Sequence, residues 1–189
     1  MSFQNDIDKC MTFLKEGSLI LYPTDTIWGI GCDATNEDAV KKLIELKQRP
    51  DSKSFVILVR DIDSIPLYAD PVPPAMLDYK TKAGKPVTFI LNNAHNLAPS
   101  VINTDGTVAI RIPEDDFCRT LLVQYGNPVV STSANVSGQP APAIFPEITE
   151  TIRQGVGYTV LHRRSDLERR AGSSIIKAGR DREIIVIRP

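Results

Sequence analysis

Short apolar runs rich in β-branched residues recur along the whole chain, and this recurrence constrains the fold more than any other feature. Each run is bounded by Gly, Pro, Asp or Asn, which is typical of a β-strand between turns. The pattern predicts strands at 19–22, 55–59, 87–91, 108–112, 129–130, 159–161, 175–176 and 184–187.

Helical periodicity appears between several of these strands. Residues 5–15 and 37–47 carry apolar side chains at helical spacing, and Asn36 precedes the second segment as a candidate N-cap. Weaker patterns predict helices at 114–124 and 146–154, whereas four prolines predict an irregular connection at 66–74. Strands interleaved with helices without strict alternation predict an α/β fold, a mixed sheet with helices packed on it. A length of 189 residues with 42% hydrophobic content predicts one globular domain, 1–189.

The formal net charge is −1, but the charge is unevenly distributed. From residue 151 onward there are nine basic and four acidic residues. Such a basic segment suits an anionic partner such as a nucleotide or RNA, and it equally suits an ordinary solvated surface.

Cysteine usage and hydropathy indicate the compartment. Cys10, Cys32 and Cys118 are isolated, which argues against a disulfide framework or a zinc site and favours a reducing environment. No apolar run approaches the roughly 20 residues of a membrane span, and the N-terminus lacks a signal-peptide pattern. We therefore expect a soluble cytoplasmic protein without membrane association.

A cationic turn follows the predicted helix 37–47. Lys47 continues the apolar face at the helix end, Arg49 follows before Pro50, and Lys53 precedes the next strand. Three cations at one turn form a candidate phosphate receptor, and the position of Lys47 at a helix end predicts incomplete burial. The alternative for Lys47 is that it stabilises the helix C-terminus and extends to water.

Two further segments carry polar groups at strand ends. Residues 131–138, Ser-Thr-Ser-Ala-Asn-Val-Ser-Gly, predict a loop that offers donors to phosphate or carboxylate oxygens, although such loops often bond only their own backbone. Residues 22–31 combine polar side chains, the one tryptophan and two glycines where α/β sheets bind ligands, without a Walker motif.

Arg111 lies inside a predicted strand, where it either faces solvent or clamps a carboxylate. With two histidines and neither G-x-S-x-G nor H-E-x-x-H, a triad hydrolase or zinc protease has little support.

Taken in order, these segments resemble the YrdC-like family of threonylcarbamoyl-AMP synthases. Residues 84–91 are similar to its P-G-P-x-T-x-I-L strand, and residues 173–176 are similar to its S-T-I-V strand. The resemblance covers about residues 5–188 and rests further on the motifs Tyr22-Pro-Thr-Asp-Thr26 to Gly31, Lys47-x-Arg49-Pro50, Ala109-Ile-Arg111-Ile-Pro113 and 131–138. The sequence departs from the family pattern at Leu58, Lys85 and Lys177.

The resemblance implies an open, twisted α/β sheet around a large, positively charged cavity. It implies an L-threonylcarbamoyladenylate synthase, a nucleotidyltransferase that joins L-threonine, bicarbonate and ATP for modification of tRNA. Mg²⁺ is expected on the phosphates of ATP, with no metal site made by the protein, and downstream threonylcarbamoyl-transferase proteins are expected partners. The resemblance implies the short, single-domain form of the family.

Site residues follow from the same resemblance. Catalytic roles fall on Lys47, Arg49, Ser133 and Asn135. Threonine contacts fall on Thr26, Arg111 and Ser173. ATP contacts fall on Arg49, Lys53, Thr107, Ser131, Ser133 and Arg188. Two alternatives stay open: a non-catalytic module that binds double-stranded RNA or tRNA, and a paralogue that uses another acceptor.

Overall fold

The computed structural model describes residues 3–48, 55–179 and 183–189. Within these ranges nine strands form one sheet, in the order β7-β1-β2-β6-β3-β5-β4-β8-β9. Its strands are β1 (Ile20–Tyr22), β2 (Gly29–Gly31), β3 (Val56–Leu58), β4 (Val87–Leu91), β5 (Val108–Arg111), β6 (Val129–Ser133), β7 (Tyr158–Thr159), β8 (Ser174–Ala178) and β9 (Ile184–Arg188). The pairs β1–β7, β3–β5 and β4–β8 are parallel and the other five are antiparallel, which confirms the predicted mixed sheet.

Five α-helices accompany the sheet in the described ranges: α1 (Gln4–Lys15), α2 (Glu37–Lys47), α3 (Pro74–Ala83), α4 (Asp116–Tyr125) and α5 (Glu150–Gln154). The bounds of α2 are those predicted, and the Asn36 side chain accepts a hydrogen bond from the Ala39 amide at 3.1 Å. Helix α3 was not predicted. Its first residue is Pro74, and a proline is tolerated there because the first helical N–H has no intrahelical partner. No described helix has the length and apolar character needed to cross a membrane.

Two hydrophobic cores lie on opposite faces of the sheet. Neighbouring residues of β1 show this division, because Leu21 belongs to one core and Tyr22 to the other. The core that contains Leu21 includes Leu43 of α2, and the core that contains Tyr22 includes Leu14 of α1 and Leu121 of α4. Helices and apolar side chains thus pack on both faces of the sheet.

Strand β2 was not predicted from the sequence. Its Gly-Ile-Gly sequence resembles a turn, yet it pairs with β1 on one side and with β6 on the other. A Cβ atom on Gly31 would lie 2.3 Å from the carbonyl oxygen of Val130, so only glycine permits this approach of the two backbones. Pairing with β2 also extends β6 to Ser133, three residues beyond the predicted end of that strand.

Gly31→Ala is expected to destabilise the protein by about 3 kcal/mol or more, because the backbone of β6 must move to admit the methyl group. Urea unfolding measures the change. Gly106→Ala is the control: its φ is +75° but no atom lies within 4 Å of the added Cβ, so only the left-handed conformation opposes it, at about 1–2 kcal/mol. Equal losses in the two variants would contradict the close-approach argument.

Candidate functional site

A cavity of about 250 Å³ opens where six of the strands and two connecting segments meet. This volume is just below the range of about 300–1,000 Å³ typical of small-molecule pockets. The described residues that line it carry two guanidinium groups and several hydroxyl groups, and none of them is acidic. They are Thr26, Ile27, Trp28, Gly29, Val56, Arg111, Ser131, Thr132, Ser133, Gly172, Ser173, Ile175 and Arg188. The cavity is therefore suited to an anionic ligand.

Arg111, the last residue of β5, is 5% exposed and lies in the wall of this cavity. Its Nη1 donates a hydrogen bond to the Thr26 hydroxyl at 2.7 Å. Thr26 is held in turn by Thr24, whose hydroxyl lies 2.8 Å from that of Thr26 and accepts from the Thr26 amide at 3.0 Å. The buried Nε of Arg111 has no hydrogen-bond partner among the described residues. Arg111 is thus oriented by the turn after β1.

Two carboxyl groups, Asp25 beside Arg111 and Asp115 near Asp25, are not among the residues that line the cavity. Asp25 Oδ1 is 3.6 Å from Arg111 Nη1, and Asp25 Oδ2 accepts from the Glu114 amide at 3.0 Å. Asp115 accepts from the Cys118 amide and caps α4. Burial, together with the charge of Asp25, raises the pKa of Asp115. The carboxylate of Asp25 therefore partly offsets the charge of Arg111.

Arg188, at the end of β9, is the second guanidinium of the wall. Its Nε donates to the carbonyl of Ser173 at 2.9 Å, and its Nη2 lies 3.3 Å from the Ser173 hydroxyl. That hydroxyl lies 2.7 Å from the hydroxyl of the fully buried Thr88. Arg188 is exposed as a whole residue, but partial removal of its guanidinium from water, with a further contribution from Arg111, lowers its pKa. Two like charges at one cavity favour an anion between them.

Strand β6 supplies the hydroxyl-rich wall. Ser131, Thr132 and Ser133 all line the cavity, and their backbones pair with Val56 of β3 and with β2. The prediction that 131–138 is a loop is therefore wrong for its first three residues. These residues are in a strand because their backbone groups pair with those of β2 and β3.

The sequence model of the Sua5/YciO/YrdC family, described as "Telomere recombination", matches residues 12–189. The chain belongs to this family. The threonylcarbamoyl-AMP synthase of Pseudoalteromonas translucida is 31% identical over 163 residues, which cover 85% of this chain and 87% of the relative.

Solved structures of the Sua5/YciO/YrdC family share the fold. P. abyssi Sua5 complexed with L-threonine has a TM-score of 0.84 at 24% identity and matches 100% of this chain. The chain spans 55% of that Sua5 chain. E. coli YciO has a TM-score of 0.83 at 22% identity, covering 98% of this chain and 89% of its own. The resemblance of the sequence to this family and its open mixed α/β fold are thereby confirmed.

The structure brings together six of the residues that sequence analysis assigned to the site, and these six line the cavity: Thr26, Arg111, Ser131, Ser133, Ser173 and Arg188. Arg49 and Lys53 lie outside the described residues. Thr107 lies at the opposite end of β5 from Arg111, where its hydroxyl donates to Asp105 at 2.6 Å. Its assignment to ATP stays a prediction.

Lys47 and Asn135 are behind the cavity wall and not among the described lining residues. Lys47 is 1% exposed, so the predicted incomplete burial is wrong. The physical reason is that backbone carbonyl groups solvate its ammonium group, at Ser133 and Asn135. The Asn135 amide donates to the carbonyls of Val136 and Gln139, which closes the turn after β6.

Several residues that shape the cavity had no role predicted from the sequence. Thr88 occurs among apolar residues of a predicted strand. Its position in the sequence does not indicate that its hydroxyl lies beside that of Ser173. Gly172 lies against Arg188, where a Cβ would be 3.2 Å from Nη2. Trp28 was noted as the one tryptophan, and its ring packs 4.9 Å from that of Phe145 at the cavity edge.

The donor set bears on the Mg²⁺ that the resemblance implies. No group of three His, Cys, Asp or Glu side chains suited to a metal ion occurs in the described part of the chain. The cavity wall instead offers the hydroxyl oxygens of β6. These residues fit an ion that is coordinated mainly by phosphate oxygens and water.

Thr26→Val is expected to lower the free energy of unfolding by about 1–3 kcal/mol, because it leaves the buried Nη1 of Arg111 without its acceptor. Urea unfolding of the ligand-free protein measures this. Thr12→Val is the matched control, since the exposed Thr12 hydroxyl bonds only the Asp8 carbonyl of its own helix, and it is expected to cost less than about 0.5 kcal/mol. Equal effects would show that the Arg111–Thr26 bond contributes nothing to folding.

Proposed function

We propose that the chain is an L-threonylcarbamoyladenylate synthase, which converts L-threonine, bicarbonate and ATP into threonylcarbamoyl-AMP and pyrophosphate. The observation that carries this proposal is the pair of guanidinium groups, Arg111 and Arg188, in one hydroxyl-lined cavity whose described walls contain no carboxylate. All three substrates are anionic or carry a carboxylate. The similarity to the threonylcarbamoyl-AMP synthase of Pseudoalteromonas translucida supports the same reaction.

The chemistry requires electrostatic stabilisation more than a protein nucleophile. The amine of threonine combines with bicarbonate to give a carbamate and water, and the carbamate oxygen then attacks the α-phosphate of ATP and expels pyrophosphate. Negative charge moves among phosphate oxygens during this step, so fixed cations and hydroxyl donors lower the barrier. The cavity supplies hydroxyl donors for this step from β6, and Arg188 beside them is assigned to the binding of ATP before and during the step.

We assign threonine to the part of the cavity lined by Thr26, Arg111 and Ser173. A guanidinium that is already oriented by a threonine hydroxyl and opposed by Asp25 on one side can bind a carboxylate on the other. The crystal structure of P. abyssi Sua5 complexed with L-threonine supports an amino-acid site in this fold.

We assign ATP to the adjacent part, with contacts from Ser131, Ser133 and Arg188 of the cavity wall. Contacts from Arg49, Lys53 and Thr107 rest on the family resemblance alone, and Thr107 lies at the other end of β5 from Arg111. Arg188 bonds Ser173, so the proposed sites for ATP and threonine share a wall. That proximity is what the transfer needs, since the carbamate must reach the α-phosphate. Mg²⁺ brought with ATP would neutralise phosphate charge, held by phosphate oxygens, water and the β6 hydroxyls.

The alternative of a non-catalytic RNA-binding module receives less support from the described basic segment. Arg163 pairs with Asp166, Arg169 with Glu147 and Arg170 with Glu168. Each of these three arginines is paired with a carboxylate of the protein, which makes it less available to a phosphate backbone.

We propose that tRNA modification takes place on downstream threonylcarbamoyl-transferase proteins, to which the adenylate is delivered. We also propose a cytoplasmic location, because all three cysteines are free thiols of the kind that a reducing compartment maintains.

Pyrophosphate release from ATP is expected to require both threonine and bicarbonate and to need no RNA. A coupled pyrophosphate assay with each component omitted in turn tests this. Omission of threonine, or its replacement by serine or alanine, is expected to reduce release to background. Undiminished release without threonine would contradict the substrate assignment, and RNA affinity without any turnover would favour the alternative module.

Arg188→Ala is expected to raise the KM for ATP by about 10- to 100-fold, the effect of losing one charge-assisted contact, and to raise the KM for threonine less. The value of kcat is expected to change less than KM, since the lost interaction is made in ground and transition states alike. Steady-state kinetics with each substrate varied in turn measure both. Arg60→Ala, which removes an exposed arginine that pairs with Asp61, is the control. An unchanged KM for ATP would remove Arg188 from the ATP site.

A further inference from the structure

Lys47 has an unusual environment for a lysine at a helix end. It is the last residue of α2, it is 1% exposed, and its Nζ donates to the carbonyl oxygens of Ser133 at 2.5 Å and of Asn135 at 2.6 Å. Its own carbonyl accepts from the Ser137 amide at 2.8 Å. Both ends of this one residue therefore bind the segment 133–137.

The two carbonyl groups that bind Lys47 belong to the segment that ends the hydroxyl-rich wall. A peptide carbonyl has its negative end at oxygen, and an oxygen bound to the buried ammonium is directed toward α2. Ser133, whose carbonyl is held in this way, nevertheless lines the cavity. The ammonium group of Lys47 thus binds two carbonyl oxygens that carry partial negative charge. The Ser133 side chain meanwhile remains in the wall of an anion-binding cavity.

The burial of Lys47 makes its two hydrogen bonds important. An ammonium ion removed from water needs compensation, and hydrogen bonds to two carbonyl oxygens provide a share of it without cancelling the charge. Loss of the ammonium group would therefore release both carbonyls, one of which belongs to the cavity-lining Ser133.

We propose that Lys47 is a positioning residue: it holds the carbonyls of Ser133 and Asn135 and thereby fixes Ser133 against the phosphates of ATP, without contacting substrate itself. This inference rests on the proposed function, because it names Ser133 as the group through which Lys47 acts. It replaces the expectation that Lys47 belongs to a phosphate-contacting turn.

A double-mutant cycle separates this role from direct contact. Lys47→Met keeps the length of the side chain but removes its charge and donors, and Ser133→Ala removes the hydroxyl in the cavity. Each is expected to lower kcat/KM for ATP by about 10- to 100-fold. If Lys47 acts through Ser133, the kcat/KM of the double variant is expected to be within about twofold of that of the less active single variant. Losses that multiply would mean that Lys47 acts on substrate independently, and would overturn the proposal.

Two further variants make the cycle specific. Lys42→Met is the matched control: Lys42 is in the same helix and donates to the Gly17 carbonyl at 2.9 Å, away from the cavity, and its loss is expected to leave kcat/KM unchanged. Lys47→Gln keeps amide donors without the charge, and it is expected to recover a share of the activity that Lys47→Met loses. A Gln variant as impaired as the Met variant would contradict positioning through the carbonyls. If Lys47→Met fails to fold, Lys47→Gln closes the same cycle with Ser133→Ala.

A failure of the proposed reaction can be distinguished from a failure of the proposed role of Lys47. Wild-type protein that binds ATP in calorimetry but releases no pyrophosphate would refute the reaction, and the same cycle measured on the Kd for ATP would still decide the role of Lys47. Wild-type protein that does not bind ATP would overturn both.

Discussion

The hydrogen bond from Arg111 to Thr26 joins the centre of the sheet to the turn that follows β1. Removing a guanidinium from water costs several kcal/mol unless hydrogen bonds and charge compensate it. Arg111 meets part of this requirement through Nη1, which bonds Thr26 and lies 3.6 Å from Asp25, whereas its buried Nε has no hydrogen-bond partner among the described residues. The turn at 24–28 must therefore fold onto β5, and this closes one side of the cavity.

A second chain of buried hydroxyls performs the same task at the opposite side. Thr88 lies beside Ser173, and Ser173 accepts from Arg188 through its backbone carbonyl. Each guanidinium is thus held by a threonine or serine that is itself bonded to another hydroxyl group. Side chains that are already fixed lose little entropy when a ligand binds, so the cavity is pre-organised for an anion. Partial burial and the charge of Arg111 both lower the pKa of Arg188, because both disfavour its charged form.

Much of the scaffold was predictable because its signals are local. Helix α2 was predicted with its bounds, since its apolar spacing and its Asn36 cap occur within twelve consecutive residues. Strand β2 and helix α3 were missed, because Gly31 and Pro74 are read as breakers until their partners are known. The cavity residues that motifs carry, among them Arg111 and Ser133, were found. Thr88 was not, because its role depends on a contact with Ser173, 85 residues away.

The motif that contains Lys47 indicates which site the residue belongs to, but it does not indicate what the side chain contacts. A lysine and a serine recurring in one family pattern indicate that both serve one site, but the sequence does not tell which of them faces the ligand. Burial bears on this, because a lysine that is 1% exposed and donates to two backbone carbonyls directs those two N–H groups at the protein rather than at a ligand. Arg188 provides the contrast, since it lies in the wall itself. A cation at the front of a cavity contributes by contact, and a cation behind it contributes by fixing the groups that make contact. Substitutions of the two kinds are therefore expected to differ in how they combine with changes in the wall.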